Sequence, residues 1–145
     1  MVEYVPAPFK IVHTPDLLLM LYEADTTFRQ IYLDGRKHPD DPQPAWLGYS
    51  IGKWDGDTLV IEATGFHDGS PLDASGHTHS DALHIVERFQ RRDFGHMDLQ
   101  ITFDDPKTFT RPFTINLPLR LRPDTDLIES FCTENEKDAA HMRGN

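Results

Sequence analysis

Cysteine is almost absent from this chain. Cys132 is the single cysteine among 145 residues, which excludes an intrachain disulfide and any multi-cysteine zinc site. The longest apolar run, Leu17 to Tyr22, is far shorter than the roughly 20 residues that a membrane-spanning helix needs. Also missing are a G-x-S-x-G motif, a P-loop, a dinucleotide fingerprint and a C-x-x-C pair. These absences remove the usual sequence support for nucleotide-dependent chemistry and for serine acyl transfer.

Positive charge is scarce as well. The chain has 14 Lys and Arg residues against 24 Asp and Glu residues, for a formal net charge of −10. Its densest basic cluster, formed by Arg88, Arg91 and Arg92, is interleaved with Glu87 and Asp93. A phosphate backbone or an anionic membrane surface would be repelled, because no basic patch is segregated from the acidic residues. We therefore expect neither nucleic acid nor a membrane as a partner.

Strand signals separated by turn signals are what the chain does have. The stretch from Met97 to Phe103 alternates apolar and polar side chains, as a strand with one buried face does. The Asp55-Gly56 pair is typical of a tight hairpin turn. Segments of the same kind predict strands at 17–23, 28–34, 46–54, 58–64, 83–91, 97–103, 109–121 and 127–132.

These segments predict an all-β fold. Short connections favour an antiparallel, up-and-down meander of about eight strands closed into a small lipocalin-like barrel, with an open sandwich as the alternative. The length suits a single domain over residues 1–145, with 133–145 as a polar C-terminal tail. Pro112 and Pro118 cannot donate to a ladder and mark an irregular edge. Pairing of this edge with a second copy would give a homodimer, which the sequence leaves open.

Two carboxylates interrupt apolar strand faces. Alternation places Glu87 on the same face as Leu83, Ile85 and Phe89, and it places Glu129 between Leu127 and Phe131. An inward carboxylate is costly unless it is paired, and desolvation suits it to general acid or base chemistry. The alternatives are a structural ion pair with Arg111, Arg88 or Arg29, and a face assignment that is wrong by one residue.

Histidines gather in the long loop between residues 65 and 80. His77 and His79 form an H-x-H pair that, with His84, predicts a site for a first-row transition metal as one alternative. The spacing matches the cupin pattern poorly. Without a metal, which is the leading prediction, no cofactor is required and His79 is a candidate acid or base oriented by Asp81.

Aromatic side chains could line a pocket inside the barrel. The predicted ligand-binding residues are Tyr22, Tyr49, Trp54, Phe66 and Phe89.

Several short strings resemble a family of uncharacterised bacterial proteins, whose members are often exported. They are Phe28-Arg29-Gln30-Ile31-Tyr32, Trp54-Asp55-Gly56-Asp57-Thr58 and Glu87-Arg88-Phe89. The resemblance covers most of the chain from about Pro8 onward and implies no activity. The N-terminus lacks the features of a signal peptide, so a cytoplasmic location, and export with the signal peptide absent from this chain, both stay open.

The leading functional hypothesis is a cofactor-independent lyase, hydratase, isomerase or cyclase. It would transfer protons on a small apolar organic substrate in the barrel, with Glu87 as the acid or base. His79 and Glu129 would be partner groups, and Arg29 or Tyr32 would polarise an oxygen. The alternatives are a non-catalytic lipocalin-like binding protein and an enzyme whose metal is held by His77, His79 and His84.

Overall fold

A computed structural model of the chain describes residues 8–73 and 75–130. In these residues the backbone forms eight strands and one short 3-10 turn, Ala24–Thr26. The strands are β1 (Phe9–His13), β2 (Leu17–Tyr22), β3 (Phe28–Tyr32), β4 (Tyr49–Asp55), β5 (Thr58–Thr64), β6 (His84–Arg91), β7 (His96–Asp104) and β8 (Phe113–Arg120). The predicted all-β class is confirmed.

All eight strands belong to one curled sheet in which each strand pairs with its neighbours in chain order. Six of the seven neighbouring pairs are antiparallel, and the pair of β3 and β4 is parallel. Within the described residues no ladder joins β1 to β8, so the sheet is an open half-barrel. The prediction of a closed barrel is corrected to this extent.

The parallel contact between β3 and β4 has a simple cause. Residues 33–48 separate the two strands, and a connection of about a dozen residues or more is long enough to carry the chain back across the sheet before the next strand begins. The contact is short, because only Ile31 with Ser50 and Tyr32 with Ile51 are in register. This connection, which contains Pro39, Pro42 and Pro44, therefore creates a crossover, where a plain meander would have had a turn.

Two strand predictions at the chain ends were wrong. The segment Phe9–His13 forms edge strand β1, which the sequence analysis left out. Residues 127–130 form no strand, although Leu127 to Cys132 was predicted to be one. Residues 131 and 132 lie outside the described part, as does the predicted tail at 133–145.

The two faces of the sheet differ in composition. The concave face carries the core, in which Leu18, Met20, Ile31, Ile61, Ile85 and Ile101 are almost completely buried. Along β8 the inward residues Ile115, Leu117 and Leu119 pack against this core but stay partly exposed, because no strand among residues 8–73 and 75–130 covers them on the far side. The convex face of β5 to β8 is polar. The described part of the chain is thus an open half-barrel whose concave face is apolar, and we call this face the trough.

Among the described residues, no helix has the length and apolarity that crossing a membrane would require.

Candidate functional site

A buried ion pair lies on the apolar concave face. Nη1 of Arg29 is 2.6 Å from Oε2 of Glu87, and the two side chains are only 6% and 2% exposed. Glu87 points into the trough, as the alternation along β6 predicted. Its partner is the arginine that the sequence analysis named among the alternatives for a structural pair.

The curl of the sheet brings these two side chains together. Arg29 lies in β3 and Glu87 in β6, so β4 and β5 run between them. Strands are about 4.8 Å apart, and a flat sheet would hold β3 and β6 about 14 Å apart. The long side chains meet only because the sheet bends around the trough and directs both inward.

Two further polar groups complete the cluster. The Nε–H of Arg29 donates a hydrogen bond to Oγ of Ser50, at 2.8 Å, and Ser50 is itself buried. Tyr22 lies at the end of β2 on the same face, and its O–H donates to Sδ of Met20 at 3.3 Å. We call Tyr22, Arg29, Ser50 and Glu87 the concave polar cluster.

The charges in this cluster balance. Taking an arginine and a glutamate out of water costs several kcal/mol for each ion, and their attraction repays this only with good geometry and additional hydrogen bonds. The short Arg29–Glu87 contact supplies the attraction, and the hydrogen bond to Ser50 further satisfies the guanidinium. The pair therefore places strong polar groups on an apolar surface without adding net charge.

The Tyr22 phenol stays protonated near neutral pH. Burial raises its pKa above the ordinary value of 10.0, and the charge of Glu87 adds to the rise; the charge of Arg29 and a hydrogen bond with Arg29 lower the pKa by less. A protonated phenol can donate a hydrogen bond. The concave polar cluster thus joins a neutral donor, a cation and a carboxylate on one apolar face.

His79 occupies a different part of the molecule from the one proposed for it. It is 3% exposed, and its Nδ1 donates to the backbone oxygen of Ser80 at 2.9 Å. Its Nε2 lies 2.8 Å from Oγ of Ser70, and its ring packs edge-on against Phe66. Both nitrogens are therefore engaged in holding the loop between β5 and β6. Asp81, predicted to orient His79, instead forms an exposed ion pair with Lys107.

Of the other predicted acid/base and polarising groups, Glu129 and Tyr32 lie away from the concave polar cluster. Glu129 is exposed and belongs to no strand, so the predicted inward orientation was wrong. Tyr32 stacks on Tyr49 with ring centroids 5.3 Å apart, beneath the guanidinium of Arg36. Tyr32 is three residues after Arg29 in β3, and residues an odd number of positions apart in a strand point to opposite faces, so Tyr32 points to the convex face.

The predicted ligand-binding aromatics divide between several places. Tyr22 and Phe89 lie on the concave face. Trp54 lies at one end of the trough, 55% exposed, with its ring 6.1 Å from that of His13. Phe66 is buried in the core beside His79, and Tyr49 is on the convex face. The trough therefore keeps Tyr22, Phe89 and Trp54 from the predicted set.

The three histidines of the alternative metal site have separate partners. Nδ1 of His77 lies 2.7 Å from Oδ2 of Asp73, and His79 is held by Ser70 and Ser80. On the convex face, Nε2 of His84 lies 3.8 Å from Oε2 of Glu62. In the described part of the chain, no group of three or more His, Cys, Asp or Glu residues is arranged to hold a metal ion.

Sequence reasoning missed Ser50 and the polar role of Tyr22. Alternation along β4 puts Ser50, Gly52 and Trp54 on one face, but the pattern does not say which arginine Ser50 will meet. That contact depends on the parallel register of β3 and β4, which leaves no local signal. Tyr22 was predicted as an aromatic contact, and its hydroxyl was overlooked.

A comparison of the chain with models of protein families, with curated proteins and with solved structures finds no match. The resemblance to a bacterial family stays a prediction.

Proposed function

We propose that this protein binds a small, largely apolar organic molecule in the trough, oriented by the concave polar cluster. The observation that carries the proposal is the buried Arg29–Glu87 pair on an otherwise apolar face. Small-molecule sites are mostly apolar, with a few placed polar groups that fix the ligand's orientation. The partly exposed side chains of β8 give such a molecule apolar surface to cover.

The charge distribution favours a neutral ligand. Arg29 and Glu87 cancel, and the chain as a whole carries a net charge of −10. An anion entering the trough would lose hydration and meet the carboxylate of Glu87. A neutral molecule avoids both costs, so we expect N-phenyl-1-naphthylamine to bind more tightly than its anionic relative 1-anilinonaphthalene-8-sulfonate.

A matched pair of variants in β8 tests the location. Leu117 faces the trough, whereas its neighbour Asn116 faces the convex side and accepts a hydrogen bond from Gln100. We expect Leu117→Arg to abolish the fluorescence increase of N-phenyl-1-naphthylamine and Asn116→Arg to leave its Kd within about twofold, because a β-strand points alternate side chains to opposite faces. Urea unfolding of both variants checks that each is folded. Equal loss in the two, or in neither, contradicts the proposal.

Catalysis is the second candidate, favoured by the presence of a phenol, a guanidinium and a carboxylate in one cluster. Proton abstraction next to a carbonyl needs a base and a donor for the developing oxyanion. Glu87 would take the proton as the C–H bond breaks, and Tyr22 and Arg29 would stabilise the enolate oxygen; the reverse step returns a proton to carbon. This candidate is the proposed lyase or isomerase class, and it requires neither His79 nor Glu129.

Hydrogen exchange measures this chemistry without a known substrate. In D2O, the methyl protons of acetophenone would exchange with solvent faster in the presence of the protein than in buffer alone, as followed by NMR. Glu87→Gln would remove the acceleration, and Glu62→Gln, a carboxylate on the convex face, would keep it. Exchange at the buffer rate with the wild-type protein would leave binding as the function.

A further inference from the structure

The hydroxyl of Tyr22 has an unusual hydrogen-bond partner. It donates to Sδ of Met20 at 3.3 Å, two residues earlier in β2. A thioether sulfur is a weak acceptor compared with an oxygen. In the described part of the chain this sulfur is the acceptor to which the hydroxyl donates, although buried hydroxyls usually find a stronger one. The hydroxyl oxygen is also hydrogen-bonded with Arg29, which leaves the choice of acceptor unaffected because a guanidinium only donates.

Tyr22 and its acceptor differ in exposure. Met20 is 1% exposed, whereas Tyr22 lies at the end of β2 and is only partly buried, with its ring 6.0 Å from Phe9 of edge strand β1. Tyr22 is thus the more exposed partner in this hydrogen bond, next to edge strand β1. Because burial keeps the phenol protonated, it meets an incoming molecule as a donor.

We propose that Tyr22 selects ligands bearing an acceptor oxygen, of the carbonyl class, which replaces Met20 Sδ as the partner of the Tyr22 hydroxyl. The inference rests on the proposed function and adds the chemical class of the ligand to it. Exchanging a weak acceptor for a strong one stabilises the complex. The loss of the hydrogen bond to the Met20 sulfur costs little free energy, because a thioether is only a weak acceptor and needs no donor when it is buried. A hydrocarbon of the same shape would gain nothing from the hydroxyl.

Acetophenone and ethylbenzene form a matched pair of probes, since they differ by a carbonyl in place of a methylene. The two partition differently from water, so the informative quantity is how each Kd changes with substitution. NMR titration of the protein gives both values. We expect Tyr22→Phe to weaken acetophenone binding at least about fivefold, the equivalent of one neutral hydrogen bond, and to leave ethylbenzene within about twofold.

Two further variants separate the hydrogen bond from packing. Met20→Leu conserves volume and removes the competing acceptor, so it should tighten acetophenone binding and leave ethylbenzene unchanged. Tyr32→Phe makes the same change as Tyr22→Phe but on the convex face, and should alter neither Kd.

The outcomes distinguish the inference from the function on which it rests. If both probes bind and Tyr22→Phe changes their Kd values by the same factor, or changes neither, the ligand class is wrong and the binding site stands. If neither probe binds to the wild-type protein, the proposed function fails and the inference fails with it. A selective loss of acetophenone binding in Tyr22→Phe supports both.

Discussion

The concave and convex faces of the sheet both carry ion pairs, but they differ in what surrounds the charges. Arg29 and Glu87 are almost completely removed from water. On the convex face Lys53 pairs with Glu62 at 3.2 Å, with the lysine 69% exposed. Water already solvates the convex charges, so their pairing changes little. On the concave face each charge depends on the other.

Buried carboxylates are also compensated in two ways in this molecule. Glu87 is balanced by a cation in direct contact, whereas Asp105 is balanced chiefly by hydrogen bonds. Asp105 is 1% exposed and accepts from the backbone and hydroxyl of Ser80 and from the backbone N–H groups of Lys107 and Thr108. Removing compensation should therefore matter most in the trough, less at Asp105 and least on the convex face.

The largest expected effect comes from breaking the concave pair. Arg29→Met or Glu87→Gln should each lower the free energy of unfolding by about 3–5 kcal/mol, because the remaining partner stays buried without its counterpart. The double variant Arg29→Met/Glu87→Leu should recover most of this loss, since apolar groups of similar volume often replace a buried pair without penalty. Urea unfolding measures all three. A double variant no more stable than the singles would contradict a pairwise origin.

The same double variant separates stability from function. If the pair served the fold alone, restored stability would come with unchanged ligand binding. The proposed function instead expects a folded protein in which the orienting groups are gone, so acetophenone binding should weaken relative to ethylbenzene.

The next effect in size concerns acid stability and Asp105. Burial alone would raise the pKa of Asp105, but the hydrogen bonds from Ser80, Thr108 and Lys107 overcome burial and lower the pKa from 3.8 to about 2. Because the folded-state pKa is the lower one, this stabilisation of about 2.5 kcal/mol is complete above about pH 5 and is lost as the pH falls toward 2. Asp105→Asn should flatten the pH dependence of the urea midpoint in this window. An unchanged slope would contradict the assignment.

A smaller effect is expected from His38, which covers part of the convex face near Thr64 and Tyr49. Burial lowers the pKa of its ring, with a partly opposing contribution from Glu62 and a further lowering by His84. The folded protein therefore binds this proton less readily than the unfolded chain, and stability declines as the pH drops below about 6.5. The His38 ring protons should titrate by NMR below 6.5, and a midpoint at or above 6.5 would refute this.

The smallest effect on stability is expected from the exposed ion pair of Lys53 and Glu62 on the convex face. Lys53→Met should change the free energy of unfolding by no more than about 0.5 kcal/mol, because an exposed pair contributes little beyond what water supplies. Urea unfolding beside Glu87→Gln gives the contrast directly. A loss from Lys53→Met as large as that from Glu87→Gln would end the distinction between the two faces.

Patterns of residues close together in the sequence predicted much of the fold. Alternation predicted the inward orientation of Glu87, and the Asp55-Gly56 signal located the hairpin whose loop residues are Gly56 and Asp57. Gly56 has a φ of +60°, which glycine adopts without strain. These features depend on residues close together in the chain, so the sequence alone displays them.

Features set by distant residues could not be predicted. The contact between Arg29 and Glu87 requires the curvature of the sheet and the crossover from β3 to β4, and neither leaves a repeating pattern. The face of Glu129 was predicted by assuming a strand, and residues 127–130 do not form one. His79 was assigned to the site by its closeness to Glu87 in sequence, but the hydroxyl of Ser70 and the carbonyl of Ser80 hold it within its own loop.

The short parallel contact between β3 and β4 divides the sheet into two parts, one of three strands (β1 to β3) and one of five (β4 to β8), that are joined along a narrow seam. Tyr22 and Arg29 belong to the first part, and Ser50 and Glu87 belong to the second. The hydrogen bond from Arg29 to Ser50 and the ion pair with Glu87 therefore connect the two parts. The concave polar cluster is complete only when the two parts pack together. A molecule that binds across the cluster would therefore also stabilise the contact between them.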